Sequence, residues 1–502
     1  MIGRFHRVSR WAPALFLGVG SSLSADPPRY TAVDLGSLPG GSTTPTAISS
    51  DGVVVGTSGY LNSPPGVSQA FAYDSRIGLI DISNGEFYAT TAQFINEASQ
   101  IAGFGCKYFD EDSICRGSVF IFTLDLGMVE IEAESPTFSA VVNGFNSSGT
   151  ICGTSRIDAL ATRAIRTVAY RLTDLGTLAE DRTGSAACRG INDAGQIVGY
   201  AWTGSRFHAF RYTGFTMEDL GTLTGPAGQS AGAGINQSGD VCGWSQAAGG
   251  QIHAFRFNDD AGLEDLHTIS GSATSAAQAV NDAGDVMGSF VDSSGSTRAF
   301  LSNDATGMRD LGALGGATVY LSAMNDSDEV VGSALDATFH PRAVLWTPND
   351  GLVDLNGRTE VDPGVVLQEA VAINPSGQIV VRSLIDGVSH AFLLTPQAQY
   401  RLSASPLLAG EAAVFTVSGA TPAARQYLVL STAGLGRTPV NALGVTLALS
   451  QPVVAGQATA SAEGRASWRF VTPPTALGKA VWFQVAESAH VSNVVGRRVR
   501  HL

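Results

Sequence analysis

Three histidines recur at one position of a repeated His-Ala-Phe motif, and histidine is the side chain that most often does acid–base or metal chemistry near neutral pH. They are His208, His253 and His390. Each lies in a different copy of a repeat, which keeps the three apart, so we interpret the position as a structural one on a strand. The sequence has no His-Glu-x-x-His or Cys-x-x-Cys spacing, and it predicts neither a metal nor a cofactor.

A second chemical pattern is Gly-Gln-Ser-Ala-Gly at Gly228–Gly232, which matches the Gly-x-Ser-x-Gly elbow of serine hydrolases. That elbow requires a strand before the serine and a helix after it. The match here lies in a connection rich in glycine and serine, so we interpret it as coincidence. The sequence therefore identifies no catalytic residue.

A short acidic insertion is the best candidate for a binding site. It adds a mixture of aromatic and acidic side chains to one loop, namely Tyr108, Phe109, Asp110, Glu111 and Asp112. Such a mixture suits contact with a partner, although a variable, solvated loop is the simpler alternative. Cys106 and Cys115 flank the insertion and are predicted to form a disulfide, which would stabilise the fold by about 2 to 3 kcal/mol.

The other three cysteines lie elsewhere in the chain. Cys152 and Cys242 occupy one register, just before a glycine that ends a short apolar strand, and we expect both to be small buried apolar residues. For Cys188 the sequence leaves two alternatives open, a disulfide or a free thiol.

These candidates are positioned by a repeat that occurs eight times, 44 to 50 residues apart. Each copy has a turn of the type Asn-x-x-Gly, in which the Asn suits the first position of a type I turn and the Gly a left-handed backbone. Its copies are AISSDGVVVG, FINEASQIAG, GFNSSGTICG, GINDAGQIVG, GINQSGDVCG, AVNDAGDVMG, AMNDSDEVVG and AINPSGQIVV. Ser99 and Asp328 replace the Gly, and a distortion is expected at Ser99.

Each copy also contains a short apolar strand, a His-Ala-Phe segment and an Asp-Leu-Gly segment, so four strands fall within about 46 residues. That is the size of one blade of a β-propeller. The predicted fold is therefore all-β, an eight-bladed β-propeller over residues 26–397 followed by a C-terminal β-sandwich over 398–502. The last copy lacks its outer strand, and we expect the N-terminal segment YTAVDLGSL to supply it.

The repeated combination of INxxGxxVG, HAF and DLGTL resembles the HAF repeat family of extracellular bacterial proteins over roughly residues 30–395. The resemblance implies secretion and a repetitive, propeller-like fold, and it implies no established chemistry. GSVF at Gly117 and VAYR at Val168 depart from the HAF pattern.

Export is also indicated by the first 25 residues, which combine three arginines, a short apolar run and small residues, as signal peptides do. Without them the chain carries 27 basic and 44 acidic side chains, a balance that argues against nucleic acid as a partner. No later segment is apolar for long enough to cross a bilayer. We expect a secreted or cell-surface monomer, whose extracellular partner is a polysaccharide or an envelope protein.

The sequence favours a binding or surface-interaction protein over an enzyme, because eight near-equivalent units distribute chemistry evenly around an axis. The first alternative is a carbohydrate-active or other hydrolytic or lyase enzyme built on the same propeller. The second is a purely structural surface component. Fold analogy alone cannot choose among the three.

Overall fold

The computed structural model describes residues 29–38, 41–59, 67–109, 115–131, 140–156, 161–397, 401–404, 407–420, 423–440, 442–443, 445–461, 465–487, 490–492 and 495–498. The predicted signal peptide, residues 1–25, lies outside them. The chain has two compact units, one over residues 27–399, named here the propeller unit, and one that includes residues 400–502, named the C-terminal unit. Within the described residues the only helices are two short 3₁₀ helices, Leu355–Gly357 and Pro474–Ala476, and neither could cross a membrane.

The propeller unit begins with strand β1 (Tyr30–Asp34) and continues with seven four-stranded antiparallel sheets of consecutive strands. Sheet 1 contains β2 (Thr43–Ile48), β3 (Val54–Gly59), β4 (Ser68–Asp74) and β5 (Gly78–Asp81). Sheet 2 contains β6 (Ala89–Ile95), β7 (Ile101–Phe109), β8 (Cys115–Thr123) and β9 (Gly127–Glu130). Sheet 3 contains β10 (Ala140–Phe145), β11 (Ile151–Arg156), β12 (Thr162–Val168) and β13 (Arg171–Asp174).

The next four sheets have the same order. Sheet 4 contains β14 (Ala186–Ile191), β15 (Ile197–Trp202), β16 (Phe207–Tyr212) and β17 (Met217–Gly221), and sheet 5 contains β18 (Ser230–Ile235), β19 (Val241–Gln246), β20 (Ile252–Asn258) and β21 (Gly262–Asp265). Sheet 6 contains β22 (Thr274–Val280), β23 (Val286–Val291), β24 (Thr297–Asn303) and β25 (Gly307–Asp310), and sheet 7 contains β26 (Gly315–Met324), β27 (Val330–Asp336), β28 (Pro341–Thr347) and β29 (Gly351–Asp354).

Sheet 8 takes its outer strand from the other end of the unit. It contains β30 (Thr359–Glu360), β31 (Leu367–Ile373), β32 (Ile379–Ile385) and β33 (Val388–Pro396) in the order β30-β1-β33-β32-β31. Strand β1 runs antiparallel to β33, with Asp34 opposite Phe392, and β30 adds a short parallel pairing to β1. The prediction that the N-terminal segment completes the last repeat is confirmed.

The second strand of each sheet is apolar at consecutive positions because both of its faces are covered. Ile197 and Val198 are both fully buried. Ile197 packs with Cys152 of sheet 3, whereas Val198 packs with Val241 of sheet 5. A strand that lies between two neighbouring sheets has no solvent face, and this is the arrangement that the sequence predicted for a propeller.

The turns have the predicted chemistry. In sheet 4, Gly195 has a φ of 77° and its N–H donates to the carbonyl of Asn192 at 3.0 Å. Ser99 adopts nearly the same conformation, with a φ of 56°, and donates to the carbonyl of Asn96 at 2.9 Å. The expected distortion at Ser99 is therefore wrong, since the turn absorbs the cost of a left-handed serine without losing its hydrogen bond.

Six of the seven repeated turn asparagines connect their sheet to the next through a main-chain carbonyl. Their side-chain Nδ2 groups donate to the main-chain carbonyl at the same position of the following sheet, at 2.9 to 3.2 Å, in the pairs Asn96 to Asn146, Asn146 to Asn192, Asn192 to Asn236, Asn236 to Asn281 and Asn325 to Asn374. Asn374 of sheet 8 donates to Ser49 of sheet 1 at 3.0 Å. We name this set the asparagine belt; it makes the first and last sheets neighbours.

The C-terminal unit is also built of strands. They are β34 (Arg401–Ala404), β35 (Ala412–Ser418), β36 (Arg425–Ser431), β37 (Leu435–Val440), β38 (Val445–Leu449), β39 (Val453–Thr459), β40 (Ala466–Val471), β41 (Ala480–Glu487), β42 (His490–Val491) and β43 (Val495–Arg498). A three-stranded sheet has the order β34-β35-β40, and a second has β39-β36-β41-β42 with β43 also on β41. Phe415 and Trp468 of the first sheet share a buried core with Leu428 and Phe483 of the second.

Candidate functional site

The predicted binding loop falls mostly outside the described residues. Tyr108 and Phe109 end strand β7, where their main chains lie opposite Arg116 and Cys115. Asp110, Glu111 and Asp112 are not among the described residues. The binding role of this loop stays a prediction.

The cysteines differ from the sequence analysis at one pair. Cys152 of β11 and Cys188 of β14 form a disulfide that joins sheets 3 and 4, with their Cα atoms 6.3 Å apart. The expectation that Cys152 is an unpaired apolar residue is therefore wrong, because the partner lies on a neighbouring sheet. Cys242 is a free, buried thiol as expected. Cys106 is disulfide-bonded, and since the side chain of Cys115 lies outside the described residues, their pairing stays a prediction.

The repeated histidines are partners of the repeated aspartates. Nδ1 of His208 lies 2.9 Å from the Asp219 carboxylate on the adjacent strand, and His253 is similarly placed 2.8 Å from Asp265. His390 contacts Asp34 of β1 at 3.2 Å. In three other sheets an arginine takes the histidine's place. Arg298 and Arg163 contact the aspartate of the outer strand, Asp310 and Asp174, whereas Arg342 contacts Asp336 of β27. A position that histidine and arginine share, always beside a carboxylate, stabilises the pairing of adjacent strands in a sheet.

The first strand of each sheet carries an irregularity that the sequence analysis missed. First strands of consecutive sheets contact one another, so we name them the inner strands. In each one the pairing register shifts three residues before the turn asparagine, at Thr46, Gln93, Asn143, Arg189, Ala233, Gln278, Ser322 and Val371. A β-bulge redirects the side chain of its extra residue. The signal in the sequence was the spacing of the apolar residues, which breaks alternation at this point.

One pocket opens beside these bulges, at the inner strands of sheets 4, 5 and 6. Its volume is about 500 Å³, and its lining includes Arg189, Tyr200, Phe207, Trp244 and Gln278. Pockets of this size commonly hold small ligands. Tyr200 and Trp244 occupy equivalent positions of β15 and β19, directly after a glycine, so two neighbouring sheets present aromatic rings to the same space.

Aromatic contacts hold the arginine of this pocket in place. The Arg189 guanidinium lies over the Tyr200 ring, 5.6 Å from its centroid, within the range of a cation–π interaction. Phe207 meets the same Tyr200 ring edge to face, with centroids 5.6 Å apart. The arginine is itself exposed, which leaves its donors free to face a ligand.

A serine of the inner strand that contains Gln278 contacts a histidine from the segment before that strand. Oγ of Ser275 is 2.8 Å from Nδ1 of His267 and accepts the main-chain N–H of Ala254 at 2.9 Å. In sheet 5 the equivalent serine, Ser230, instead donates to the carbonyl of Gly221 at 2.6 Å. The difference arises because His267 replaces that glycine in the Asp-Leu-Gly segment of sheet 5.

The surroundings of His267 favour its neutral imidazole. Its ring stacks on that of His253, with centroids 4.1 Å apart. Burial and the neighbouring His253 both lower the pKa of His267 below its usual range. A neutral imidazole whose nitrogen faces a hydroxyl can accept the hydroxyl proton.

Two other chemical candidates are settled by geometry. Ser230 of the Gly-Gln-Ser-Ala-Gly stretch begins strand β18, so the helix required by a serine-hydrolase elbow does not follow it. No group of three or more His, Cys, Asp or Glu residues among the described residues is arranged to hold a metal ion.

Comparison with known proteins finds matches in structure alone; no family model and no curated protein sequence matches the chain. The chain is similar to the β-propeller domain of the trilobed protease from Pyrococcus furiosus, at 10% identity and a TM-score of 0.40, over 63% of this chain and 95% of that one. It is also similar to prolyl oligopeptidase B from Galerina marginata (10%, TM-score 0.43, 73% and 57%) and to dipeptidyl peptidase 4 from Porphyromonas gingivalis (9%, TM-score 0.42, 71% and 57%).

At these identities the likeness concerns the fold, and the chain spans little more than half the length of the last two proteins. The predicted all-β propeller fold is confirmed. The prediction of a non-enzymatic binding protein is contradicted, since the propellers named here belong to a protease and two peptidases.

Proposed function

We propose that the eight sheets of the propeller unit are the eight blades of one closed ring. Support comes from the common strand order and from the asparagine belt, which runs from sheet 8 back to sheet 1 through Asn374 and Ser49. The two larger sheets of the C-terminal unit share one buried core, which supports a β-sandwich there. Membership of the HAF repeat family and export outside the cytoplasm rest on the sequence motifs alone and form part of the same proposal.

The function that the geometry supports best is hydrolysis on this propeller, with Ser275 as nucleophile and His267 as general base. The observation that carries it is the 2.8 Å contact between Ser275 Oγ and His267 Nδ1, at the one sheet where histidine replaces the repeat glycine. Ser275 is 3% exposed, so the reaction requires neighbouring side chains to shift as substrate enters, while the contact with His267 is kept. The pocket beside Gln278, three residues further along β22, is the proposed substrate site.

The proposed chemistry is acyl transfer. The Ser275 oxygen attacks the acyl carbonyl while its proton passes to Nδ1 of His267, and the imidazolium then protonates the leaving alcohol or amine. Water, deprotonated by the same imidazole, hydrolyses the acyl-serine and restores both groups. Stacking of His253 disfavours a charged His267 before reaction, which keeps the base available.

A serine-directed fluorophosphonate probe tests this assignment on the full chain. We expect covalent labelling that maps to Ser275, that is lost in Ser275→Ala and His267→Ala, and whose rate rises with pH and levels off below the usual histidine pKa of about 6.5. The matched control is Ser245→Ala, a buried serine of sheet 5 whose Oγ contacts main-chain groups and no histidine, which should label like the parent. Labelling that survives Ser275→Ala, or no labelling of a folded parent chain, would refute the nucleophile.

A further inference from the structure

The cation of the pocket, Arg189, has no acidic partner in the described part of the chain. Six arginines of the sheets each contact a carboxylate, in the pairs Arg163–Asp174, Arg211–Glu218, Arg256–Glu264, Arg298–Asp310, Arg342–Asp336 and Arg382–Glu369. Among the described residues no carboxylate lies within ion-pair distance of Arg189. Arg166 and Arg309 also lie over aromatic rings, and neither forms one of these ion pairs. What distinguishes Arg189 is that its guanidinium lines the pocket.

The lining defines what could neutralise that charge. Guanidinium groups bind carboxylates through two parallel hydrogen bonds. Tyr200 and Trp244 offer half-exposed ring faces, and the amides of Gln229 and Gln278 can both donate and accept hydrogen bonds. Aromatic rings pack against the apolar face of a pyranose, and amides form hydrogen bonds with its hydroxyl groups. Together with the Arg189 guanidinium, these side chains could bind an acidic sugar.

An extended acidic peptide fits the same space less well. A peptide that adds to a sheet needs a continuous strand edge for its main-chain hydrogen bonds. The pocket-lining part of β18 is interrupted by the bulge between Gly232 and Gly234, which breaks the ladder at the pocket. Side-chain recognition therefore dominates at this site.

We propose that the substrate of this enzyme is an O-acylated oligosaccharide containing uronic acid, in which Ser275 attacks the ester carbonyl and the sugar hydroxyl leaves, while the uronate carboxylate is bound by Arg189 between the rings of Tyr200 and Trp244. This inference rests on the proposed function, because it calls the bound sugar a substrate. Binding of the sugar itself does not depend on Ser275. The carboxylate lies against the guanidinium in the plane of its donors, and the sugar face packs on the indole of Trp244.

Calorimetric titration of the full chain with a galacturonic acid trisaccharide tests the site, with galactotriose as the neutral probe. We expect binding of the acidic trisaccharide only, weakened about ten-fold or more in Arg189→Ala and also weakened in Trp244→Ala. Arg189→Lys should recover part of the affinity, because it keeps the charge and loses the paired donors. Arg309→Ala is the matched control, since Arg309 also lies over an aromatic ring, 5.5 Å from the centroid of Trp346, but outside the pocket.

The outcomes separate the two proposals. Equal binding of galactotriose, unchanged affinity in Arg189→Ala, or binding of an acidic hexapeptide instead of the trisaccharide would each overturn the uronate site. Ser275-dependent labelling together with any of these results would leave the hydrolase standing without this substrate class. Arg189-dependent binding by a chain that the serine probe does not label would support the uronate site and reject the nucleophile.

Discussion

One aspartate disturbs an otherwise regular turn. The fourth turn position is glycine in six sheets, but sheet 7 has Asp328 there, with a φ of 58°. Its carboxylate accepts the Nδ2 group of Asn281 at 2.9 Å, so Asn281 does not reach the carbonyl of the next turn as the other belt asparagines do. Partial burial, together with the charge and hydrogen bond of Asp328, raises the pKa of Asp285 to about 6.

Asp285→Asn should therefore stabilise the protein in a pH-dependent way. The pKa of Asp285 is higher in the folded protein than in the unfolded chain. The wild type therefore loses stability as the pH rises from about 4 through about 6. The variant should gain roughly 1 kcal/mol at pH 8, after allowance for solvent screening of a partly exposed group, and nothing at pH 4. Thermal unfolding from pH 4 to pH 8 measures this, with Asp240→Asn at the equivalent turn of sheet 5 as control. A gain that is the same at every pH would show that charge is not the cause.

The bulge of the inner strand explains the glycine that ends the repeat motif. At Gly199 a Cβ atom would lie 1.9 Å from the main-chain oxygen of Ala187 on the inner strand. The same close approach recurs in sheet 5, where the distance from Gly243 to the Ala231 oxygen would be 2.1 Å. Sheet 8 has Val381 at this position, and its inner strand carries a second register shift, between Leu367 and Glu369.

Gly199→Ala should consequently destabilise the fold. The added methyl group collides with main chain rather than with a flexible side chain, so two paired strands must separate, at a cost of about 2 kcal/mol or more. Denaturant unfolding measures the change. Gly357→Ala is the control, because a Cβ there meets open space, and it should leave stability unchanged or slightly higher. Equal stability of the Gly199→Ala variant and the parent would mean that the strands can move apart without loss.

At the largest scale, the propeller unit depends on contacts between its two ends. Tyr30 is 2% exposed, and Leu35 packs with Val54 and Phe71 of sheet 1 and with Val380 of sheet 8. The contact between His390 and Asp34 is the same histidine–aspartate pairing that sheets 4 and 5 contain, here formed between the two ends of the unit. The segment around β1 thus joins both neighbours at the place where the chain itself is not continuous.

Deletion of residues 26–38 should lower the melting temperature sharply, because the main-chain hydrogen bonds of β1, each worth about 1 kcal/mol, are lost and the junction opens. Tyr30→Ala should reproduce part of the effect by removing a buried ring, at a cost of about 3 kcal/mol. Val33→Ala is its control within the same strand, since Val33 is 45% exposed. Calorimetry of the three variants measures their melting temperatures. A deletion variant with the same melting temperature as the parent would exclude this closure.

The sequence by itself determined the strands, the turns and the completion of the last sheet, because these depend on local chemistry that recurs in every copy. The Asn and Gly of the turns and the consecutive apolar residues of Ile197 and Val198 each indicate the structure without knowledge of a distant partner. The family resemblance added the expectation of secretion. The function could not be predicted from the repeat, because the repeated residues show only what the eight sheets have in common.

Only the tertiary structure decided the features that require two sheets or a shifted register. The Cys152–Cys188 bond depends on a Cα separation of 6.3 Å between neighbouring sheets, which no sequence spacing reveals. Arg189 became a pocket residue through the bulge that redirects its side chain, and Tyr200 and Trp244 share that pocket because consecutive sheets place equivalent positions side by side. Ser275 and His267 are eight residues apart along the chain, and it is the pairing of strands that sets their contact at 2.8 Å.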